Sequence, residues 1–274
     1  DVVGGQLFAD IGGSIGYKQW VEAALVVPVA LYQHGEGMAD DSKPAVAGLG
    51  DIRLDLKLNL LGKDKSLFGL AIVPRFTFPT ATDGYLGDES VTVTPRLVLD
   101  LKLPRALLAL NVEYTYRKAA ELRGTTLDQE FGIHLGANVM VLEHKLYALG
   151  ELKTATNIKK FYSESATNAM ELLLGVRMRP WAFTKQRSAK DNLRIDVGGA
   201  GGLMKGIGVP LWRVFVMAAY SPVKLGPQDS DKDGIIDPKD KCPQQPEDPD
   251  NWKDLDGCPE WDNDADGISD SADQ

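Results

Sequence analysis

The sequence lacks the segments and residue sets on which several protein classes depend. No stretch approaches the roughly 20 uncharged apolar residues of a membrane-spanning helix, which excludes a helical membrane protein. The histidines His34, His134 and His144 are far apart in the sequence, so we expect no enzyme. Only two cysteines are present, Cys242 and Cys258, both near the end of the chain. Their placement suggests a bridge formed in an oxidising compartment.

The acidic character of the chain is confined to its last part. The formal net charge is −9. From Asp229 onward there are sixteen acidic residues and four lysines, a local charge of −12, which leaves 23 acidic and 26 basic residues before it, or +3. We therefore divide the chain into a body, long enough for one large β domain, and an acidic tail.

The body alternates apolar and polar residues with a period of two. In residues 51–60, every even position is aliphatic and every odd position is polar. This period is typical of a strand with one apolar face and one polar face. The pattern predicts about eleven strands, at residues 6–16, 18–32, 51–60, 66–78, 91–103, 108–117, 130–139, 145–155, 168–179, 192–203 and 210–221.

The lengths of the strands and of their connections distinguish a membrane barrel from a soluble β-sandwich. Most strands exceed the five or six residues common in soluble sheets and match the about 9–11 residues that cross a bilayer. Short turns such as Pro104-Arg105 alternate with long polar loops such as residues 33–47. This alternation is typical of outer-membrane barrels, whose short turns lie in the periplasm. The link at residues 181–191 is longer than the rule predicts.

Charged residues fall on one face of the predicted strands. One Arg or Lys facing lipid at mid-bilayer costs roughly 2–4 kcal/mol, so we expect the charged face to line the lumen. Near balance of the two signs favours an interior joined by salt bridges, with a water-filled channel as the alternative. The predicted lumen-lining residues are Arg53, Asp55, Lys57, Arg96, Asp100, Lys102, Glu113, His134, Glu171, Arg177 and Arg179.

The strand count predicts one more strand. Single-chain bacterial barrels have an even number of strands. If the short turns are periplasmic, the chain leaves the barrel into the periplasm at Ser221-Pro222, and the strand near Gln6 begins outside the cell. We therefore expect a strand that precedes residue 1 or comes from another chain, which makes about twelve.

The tail contains two copies of a calcium-loop pattern, at residues 229–240 and 262–273. In each copy Asp occupies loop positions 1, 3, 5, 9 and 12, with Gly at 6 and Ile at 7. Calcium takes six to eight oxygen ligands, the turn at position 6 needs glycine, and position 7 offers its backbone carbonyl. We therefore expect calcium sites and not a disordered acidic linker. The predicted ligands are Asp229, Asp231, Asp233, Ile235, Asp237 and Asp240, then Asp262, Asp264, Asp266, Ile268, Asp270 and Asp273.

Residues 229–243 match the pattern DxDxDGxxDxxDxCP, and the tail resembles thrombospondin type 3 repeats. In that family the repeats wrap around several calcium ions with disulfide support and almost no hydrophobic core. The resemblance implies that Cys242 and Cys258 pair. It also implies that Asp254 and Asp256, in a degenerate middle unit, are ligands, although Trp252 occupies the first-ligand position of that unit.

A barrel followed by acidic repeats resembles relatives of outer-membrane protein A and porin F. We expect an all-β chain with an antiparallel transmembrane barrel at residues 1–222, a linker at 223–228 and periplasmic calcium-binding repeats at 229–274. In those relatives the repeats lead into a domain that grips peptidoglycan, so the resemblance implies such a partner only through a domain beyond Gln274.

Three functions are consistent with this organisation. The first is an anchor held by the lipid of the bacterial outer membrane, with a calcium-stiffened periplasmic stalk that links it to the cell wall or to another envelope protein. The second is a passive or substrate-selective channel, because about twelve strands can enclose a lumen. The third is a cell-surface interaction protein that binds a partner through its outward loops, chiefly residues 33–47 and 156–167. We expect no nucleic-acid partner.

Overall fold

The protein divides into two compact units, Asp1–Tyr220 and Ser221–Gln274, and each is considered by itself. The computed structural model describes residues 3–37, 43–62, 66–122, 125–142, 145–163, 165–180, 193–221, 230–231, 233–237, 239–250, 252–260, 262–263 and 267–270. The long link predicted at residues 181–191 lies outside the described residues. No helix in these ranges has the length and apolar character needed to cross a membrane.

The first unit consists almost entirely of antiparallel strands. The described strands are β1 (Gly5–Tyr17), β2 (Val21–His34), β3 (Gly48–Leu49), β4 (Ile52–Leu61), β5 (Phe68–Ile72), β6 (Arg75–Phe78), β7 (Thr92–Thr94), β8 (Arg96–Leu103), β9 (Ala106–Thr115), β10 (Ala120–Leu122), β11 (Thr125–Leu127), β12 (Glu130–Leu142), β13 (Leu146–Asn157), β14 (Ala169–Met178), β15 (Leu193–Lys205) and β16 (Trp212–Tyr220). Two short 3-10 helices, Ile158–Lys160 and Ser165–Thr167, lie between β13 and β14.

One sheet contains fourteen of these strands. Its main path runs β1-β2-β4-β5-β8-β9-β12-β13-β14-β15-β16, with β3, β6 and β7 paired beside it, and β10 and β11 form a separate hairpin. Neighbours along this path are antiparallel throughout. The prediction of an all-β antiparallel fold with about eleven long strands is confirmed.

Two predicted strands are each interrupted by a proline. The strand predicted at residues 66–78 is β5 and β6, separated at Val73-Pro74, and that predicted at 91–103 is β7 and β8, separated at Pro95. Proline has no N–H to donate, so the hydrogen-bond ladder breaks there. Both prolines still accept bonds, Pro74 from Leu56 at 3.0 Å and Pro95 from Tyr114 at 3.2 Å. The sheet therefore continues across each break.

The sheet is apolar outside and polar inside. On β8, the outward residues Leu97, Leu99 and Leu103 are 40–43% exposed, although they are large and hydrophobic. Buried positions are mostly polar instead, and they include Gln33, Asp51, Thr156, Asn168 and Asp196. A soluble domain shows the opposite arrangement. An apolar outer surface over many strands is what a barrel facing lipid requires.

The glycine cluster at residues 198–202 allows an aromatic ring to lie on the sheet. A Cβ atom on Gly198 would lie 2.6 Å from the Phe215 ring, and one on Gly175 would lie 3.3 Å from it. Phe215 therefore packs on the backbone of β14 and β15, where a side chain would collide with the ring. This packing explains why glycines occur inside strands, where they otherwise weaken the sheet.

The two strands at the ends of the sheet have one partner each. Among the described residues, β1 pairs with β2 and β16 pairs with β15. Both edges are long, at thirteen and nine residues. A long unpaired edge exposes a row of backbone N–H and C=O groups, which the interior of a membrane does not satisfy. The predicted twelfth strand stays a prediction.

The second unit has no regular strand or helix among its described residues. A disulfide joins Cys242 to Cys258, with Cα atoms 5.0 Å apart, as the resemblance to thrombospondin repeats implied. Gly234 and Gly267, at position 6 of the two predicted loops, have φ values of 101° and 90°. Such values favour glycine, so both turns have the backbone expected of the calcium-loop pattern.

Candidate functional site

The predicted lumen-lining residues lie on one face of the sheet and form ion pairs there. The pairs are Arg53 with Asp10 at 2.5 Å, Arg75 with Asp55 at 2.7 Å, Arg96 with Glu113 at 2.9 Å, Arg177 with Asp196 at 2.8 Å, and Arg213 with Glu171 at 2.6 Å. The pairs of Arg75 and Arg177 are bidentate, with two hydrogen bonds each.

His134 lies between two carboxylates. Its Nε2 is 3.2 Å from Glu113 and its Nδ1 is 3.9 Å from Glu151. Glu113 also binds Arg96, and Glu151 lies 3.5 Å from Lys153. The histidine thus links charges on β9 and β13 from its position on β12. This arrangement fits a hydrogen-bonded wall residue rather than a catalytic group.

The remaining predicted lumen residues have weaker or different contacts. Lys102 lies 3.9 Å from Asp100 and donates to the carbonyl of Gly62 at 3.4 Å. The guanidinium of Arg179 lies 5.7 Å from the centre of the Tyr147 ring. Lys57 faces Glu22 in the register of β2 and β4. All eleven predicted residues therefore lie on the same face of the sheet, with Arg179 directly after the end of β14.

These ion pairs follow the wall of the barrel. Each pair described above joins residues of one strand, of adjacent strands, or of strands with a single strand between them. Adjacent strands are about 4.8 Å apart, a distance that an arginine side chain spans easily. The charges therefore neutralise one another beside the wall, and the centre of the lumen is not bridged by them.

A row of mostly small residues crosses the inward face of the sheet. In register across four strands, this row contains Gly69, Asp100, Ala109 and Gly136, and Glu151 follows on the next strand. A cavity of about 990 Å³ touches all five, but most of its lining is apolar and belongs to the outward face, including Leu99, Leu110 and Leu135. A Cβ atom on Gly69 would lie 1.9 Å from Asp100 Oδ1, so the glycine makes room for that carboxylate. Sequence reasoning found Asp100 but missed the small residues, which carry no charge pattern.

Three predicted calcium ligands of the tail come together. Ligand atoms of Asp231, Asp233 and Asp240 all lie within 4.8 Å of one another. Asp240 is only 8% exposed; its Oδ1 accepts from the Cys242 N–H at 2.8 Å, and its Oδ2 has no hydrogen-bond partner among the described residues. Burying a carboxylate oxygen without a partner is costly. The group therefore fits a hard cation such as Ca²⁺, which takes carboxylate oxygens.

The other predicted ligands of the first loop and the middle unit make bonds of their own. Asp237 accepts from the backbone and the hydroxyl of Ser230 at 2.8 and 2.9 Å. Asp256 accepts from Lys241 Nζ at 2.8 Å, and Asp254 from the N–H of Asp250 at 3.2 Å. The structure does not bring these three into the group of Asp231, Asp233 and Asp240. Asp229 lies outside the described residues, and Ile235 donates its N–H to Asp233 at 2.7 Å.

The second loop is described only in part, because Asp264, Asp266 and Asp273 lie outside the described residues. Asp262 accepts from the N–H of Gly267 at 2.7 Å, and Asp270 accepts from that of Asn263 at 3.0 Å. Both bonds close the loop on itself, as the pattern requires. Ile268, which was predicted to offer its carbonyl, stays a prediction.

A second acidic group, which the sequence reasoning missed, lies near the disulfide. Ligand atoms of Glu247, Asp248 and Glu260 lie within 4.8 Å of one another. Burial raises the pKa of Glu247 above its usual value, and Glu260 and Asp256 add to the rise. Glu247 follows Cys242 by five residues and Glu260 follows Cys258 by two. The pairing of Cys242 with Cys258, which the resemblance implied, was therefore a signal from which the meeting of the two glutamates could have been predicted.

Comparison with known proteins gives a fold. No protein-family model matches the sequence, and no curated protein matches it. Among solved structures, the chain is similar to the NanC porin, with a TM-score of 0.54 and 7% identity over 78% of this chain and 92% of that one. It is also similar to an outer-membrane channel from Pseudomonas putida F1, with a TM-score of 0.54 and 12% identity over 77% of this chain and 82% of that one. The likeness to relatives of outer-membrane protein A and to thrombospondin type 3 repeats stays a prediction. The chain has the fold of the outer-membrane channel barrels.

Proposed function

We propose that this chain lies in the bacterial outer membrane and is a channel for small solutes. The observation that carries the proposal is the inward row of Gly69, Ala109 and Gly136, which crosses the sheet in register. Small side chains at these positions leave space that larger ones would fill. The ion pairs along the wall support the same function, because they neutralise the lining without crossing the lumen. The two structural neighbours are both named as a porin or a channel.

The proposal is tested by single-channel recording. The purified full chain is inserted into planar lipid bilayers, and discrete current steps are expected in potassium chloride. A chain that folds, as judged by its β-sheet circular dichroism in detergent, but gives no steps would contradict the proposal. Such a result would favour the anchor function, in which the lumen is closed.

A second function, calcium binding by the tail, rests on the buried Asp240. With Asp231 and Asp233 it would hold the ion and supply a rigid clamp between the first loop and the disulfide. An affinity of about 10⁻⁴–10⁻³ M is expected, as in extracellular calcium modules. The variant Asp240→Asn should lose calcium-dependent protection of the tail from protease. Asp237→Asn is the matched control, because Asp237 binds Ser230 instead. Equal protection in both variants would contradict this assignment.

The anchor function rests on this calcium site. Removing calcium would leave the acidic groups of the tail to repel one another, and the tail would lose its stiffness. A link from the tail to the cell wall or to another envelope protein stays a prediction, as does a partner for the outward loops.

A further inference from the structure

Several inward polar residues near the long-loop end of the barrel are buried. Gln33 is 1% exposed, Asp51 6% and Thr92 5%. By the register of their strands, Gln33 and Thr92 face the lumen, and Asp51 directly before β4 continues the inward alternation of Arg53 and Asp55. Polar side chains on the wall of an open, water-filled lumen would be exposed to solvent. Something in the chain therefore covers them, and the contacts identify it as the β6–β7 loop, residues 79–91.

Asp51 fixes this loop to the start of β4. Its Oδ1 accepts from the N–H groups of Thr80 at 3.0 Å and Ala81 at 2.9 Å, and its Oδ2 accepts from the N–H of Asp88 at 2.6 Å. One buried carboxylate thus receives three backbone hydrogen bonds from both ends of the loop. A Cβ atom on Gly87 would lie 2.4 Å from this carboxylate, so the loop backbone lies directly on it. Hydrogen bonds to a charged acceptor are about twice as strong as neutral ones.

The loop is also joined to three other parts of the wall. Asp83 Oδ2 accepts from Gln33 Nε2 of β2 at 3.5 Å. Asp88 Oδ2 accepts from the Thr92 hydroxyl at 3.0 Å, and its Oδ1 lies 3.7 Å from Arg117 after β9. These contacts point inward from the loop to lumenal side chains. A loop that stood upright above the rim would not reach them.

Beside Asp51, the loop pairs with the strand that precedes β4. The Thr82 N–H donates to the carbonyl of Leu49 at 3.0 Å, and the Leu49 N–H donates to Thr82 Oγ1 at 3.0 Å. These two bonds form a short ladder between loop and wall. The loop therefore has a defined position, and the cross-section of the channel is smaller at the depth of the loop.

We propose that the β6–β7 loop is the constriction of the channel, held inside the lumen by Asp51, and that it sets the size of the solutes that pass. The proposal rests on the channel function proposed above. Asp51 is a positioning residue, since it acts through the loop backbone that it binds. Its carboxylate keeps the loop folded inward; without the charge, the loop loses its strongest attachment and the mouth widens.

The test compares single-channel conductance and the uptake of sugars of increasing size into proteoliposomes that contain the full chain. The variant Asp51→Asn should raise the conductance and admit sugars that the wild type excludes. Asp10→Asn is the matched control, because Asp10 is a lumenal acid bound to Arg53 and not to the loop. It should leave the size limit unchanged. An unchanged limit in Asp51→Asn would overturn the proposal.

A disulfide separates the position of the loop from the charge of Asp51. A Cβ atom built on Gly48 lies 3.8 Å from the Thr82 Cβ, a distance common in disulfides. In the triple variant Asp51→Asn, Gly48→Cys, Thr82→Cys, oxidation should restore the wild-type size limit and reduction should remove it. Asp51→Asn alone under reductant controls for the native Cys242–Cys258 bridge. A wide channel in the oxidised variant would overturn the proposal.

Loop shortening covers the case in which Asp51→Asn does not fold. Thr77 pairs with Thr92, so residues 79–90 can be replaced by an Asn-Gly hairpin turn. This variant should also admit larger sugars, and an unchanged size limit would overturn the proposal. Absence of current and of sugar uptake in the folded wild type would instead refute the channel function itself, so the two failures are distinguishable.

Discussion

The ion pair of Arg177 and Asp196 allows a test of how the polar face stabilises the barrel. These residues face each other on β14 and β15 and form two hydrogen bonds of 2.8 Å. The Asp196 side chain is 2% exposed and that of Arg177 is 22% exposed. Removing one partner from a buried pair costs about 3–5 kcal/mol, because a buried charge is left uncompensated. Since Arg177 retains some access to solvent, we expect about 3 kcal/mol for Asp196→Asn, the lower end of that range.

The assay is urea unfolding of the chain in lipid vesicles, followed by tryptophan fluorescence. Asp10→Asn provides the control, because the Asp10 side chain is 54% exposed in its pair with Arg53. Exposed pairs contribute about 0–1 kcal/mol, so the control should lose little stability. Replacing both partners, as Arg177→Met with Asp196→Leu, should recover much of the loss. If Asp196→Asn destabilises no more than Asp10→Asn does, the ion pairs do not stabilise the wall as argued.

Three further predictions concern the inward row of small residues, the constriction and the tail. Gly136→Leu should lower the single-channel conductance because its side chain would enter the lumen, whereas Ala137→Leu on the outward face should not; equal conductance in the two variants would show that solutes do not pass beside this row. The β6–β7 loop has three acidic residues and no basic one, so the reversal potential in a salt gradient should indicate a preference for cations. Asp88→Asn should reduce this cation preference, and a preference for anions in the wild type would refute the expectation. In the tail, Lys241 holds the pKa of Asp256 below its usual 3.8, so the stabilisation from this pair is complete above pH 3.8 and is lost as the pH falls through the lower pKa of the folded state. Lys241→Met should raise the Asp256 pKa in an NMR titration, and an unchanged pKa would refute the pairing.

The number of strands, and the face on which each of their residues lies, could be predicted from the sequence because one physical constraint controls both: charged residues must not face lipid. Slipping the strand of residues 51–60 by one position would place Arg53, Asp55 and Lys57 in lipid, so the alternation determines the face. The interruptions at Pro74 and Pro95 were not predicted. Alternation continues through both prolines, and the strand pairing reveals the breaks. β4 pairs with β6 at Ile52–Asp55 and with β5 at Leu58–Leu61, while β6 pairs with β7 and β5 with β8.

The candidate metal group could be predicted in part. The loop pattern identified Asp231, Asp233 and Asp240, which converge, but it also included Asp237, which bonds to Ser230. Spacing gives the positions of oxygen atoms along a loop and does not show which of them turn toward one point. Glu247 and Glu260 were missed for a different reason. They are brought together across the disulfide, and no local pattern contains both.

The counting of charges could not distinguish a filled lumen from an open one, and the register explains why. Nearly equal numbers of acids and bases are compatible with bridges across the lumen and with bridges along its wall. Register decides between them, because it places Arg96 opposite Glu113 and Arg177 opposite Asp196 on adjacent strands. Each of these cations finds its partner within about 5 Å, the spacing of adjacent strands, before it could reach the far side. A lumen whose charges are paired at the wall needs no plug of side chains. The width of the channel then depends on the backbone segment that folds inward, which here is the β6–β7 loop held by Asp51.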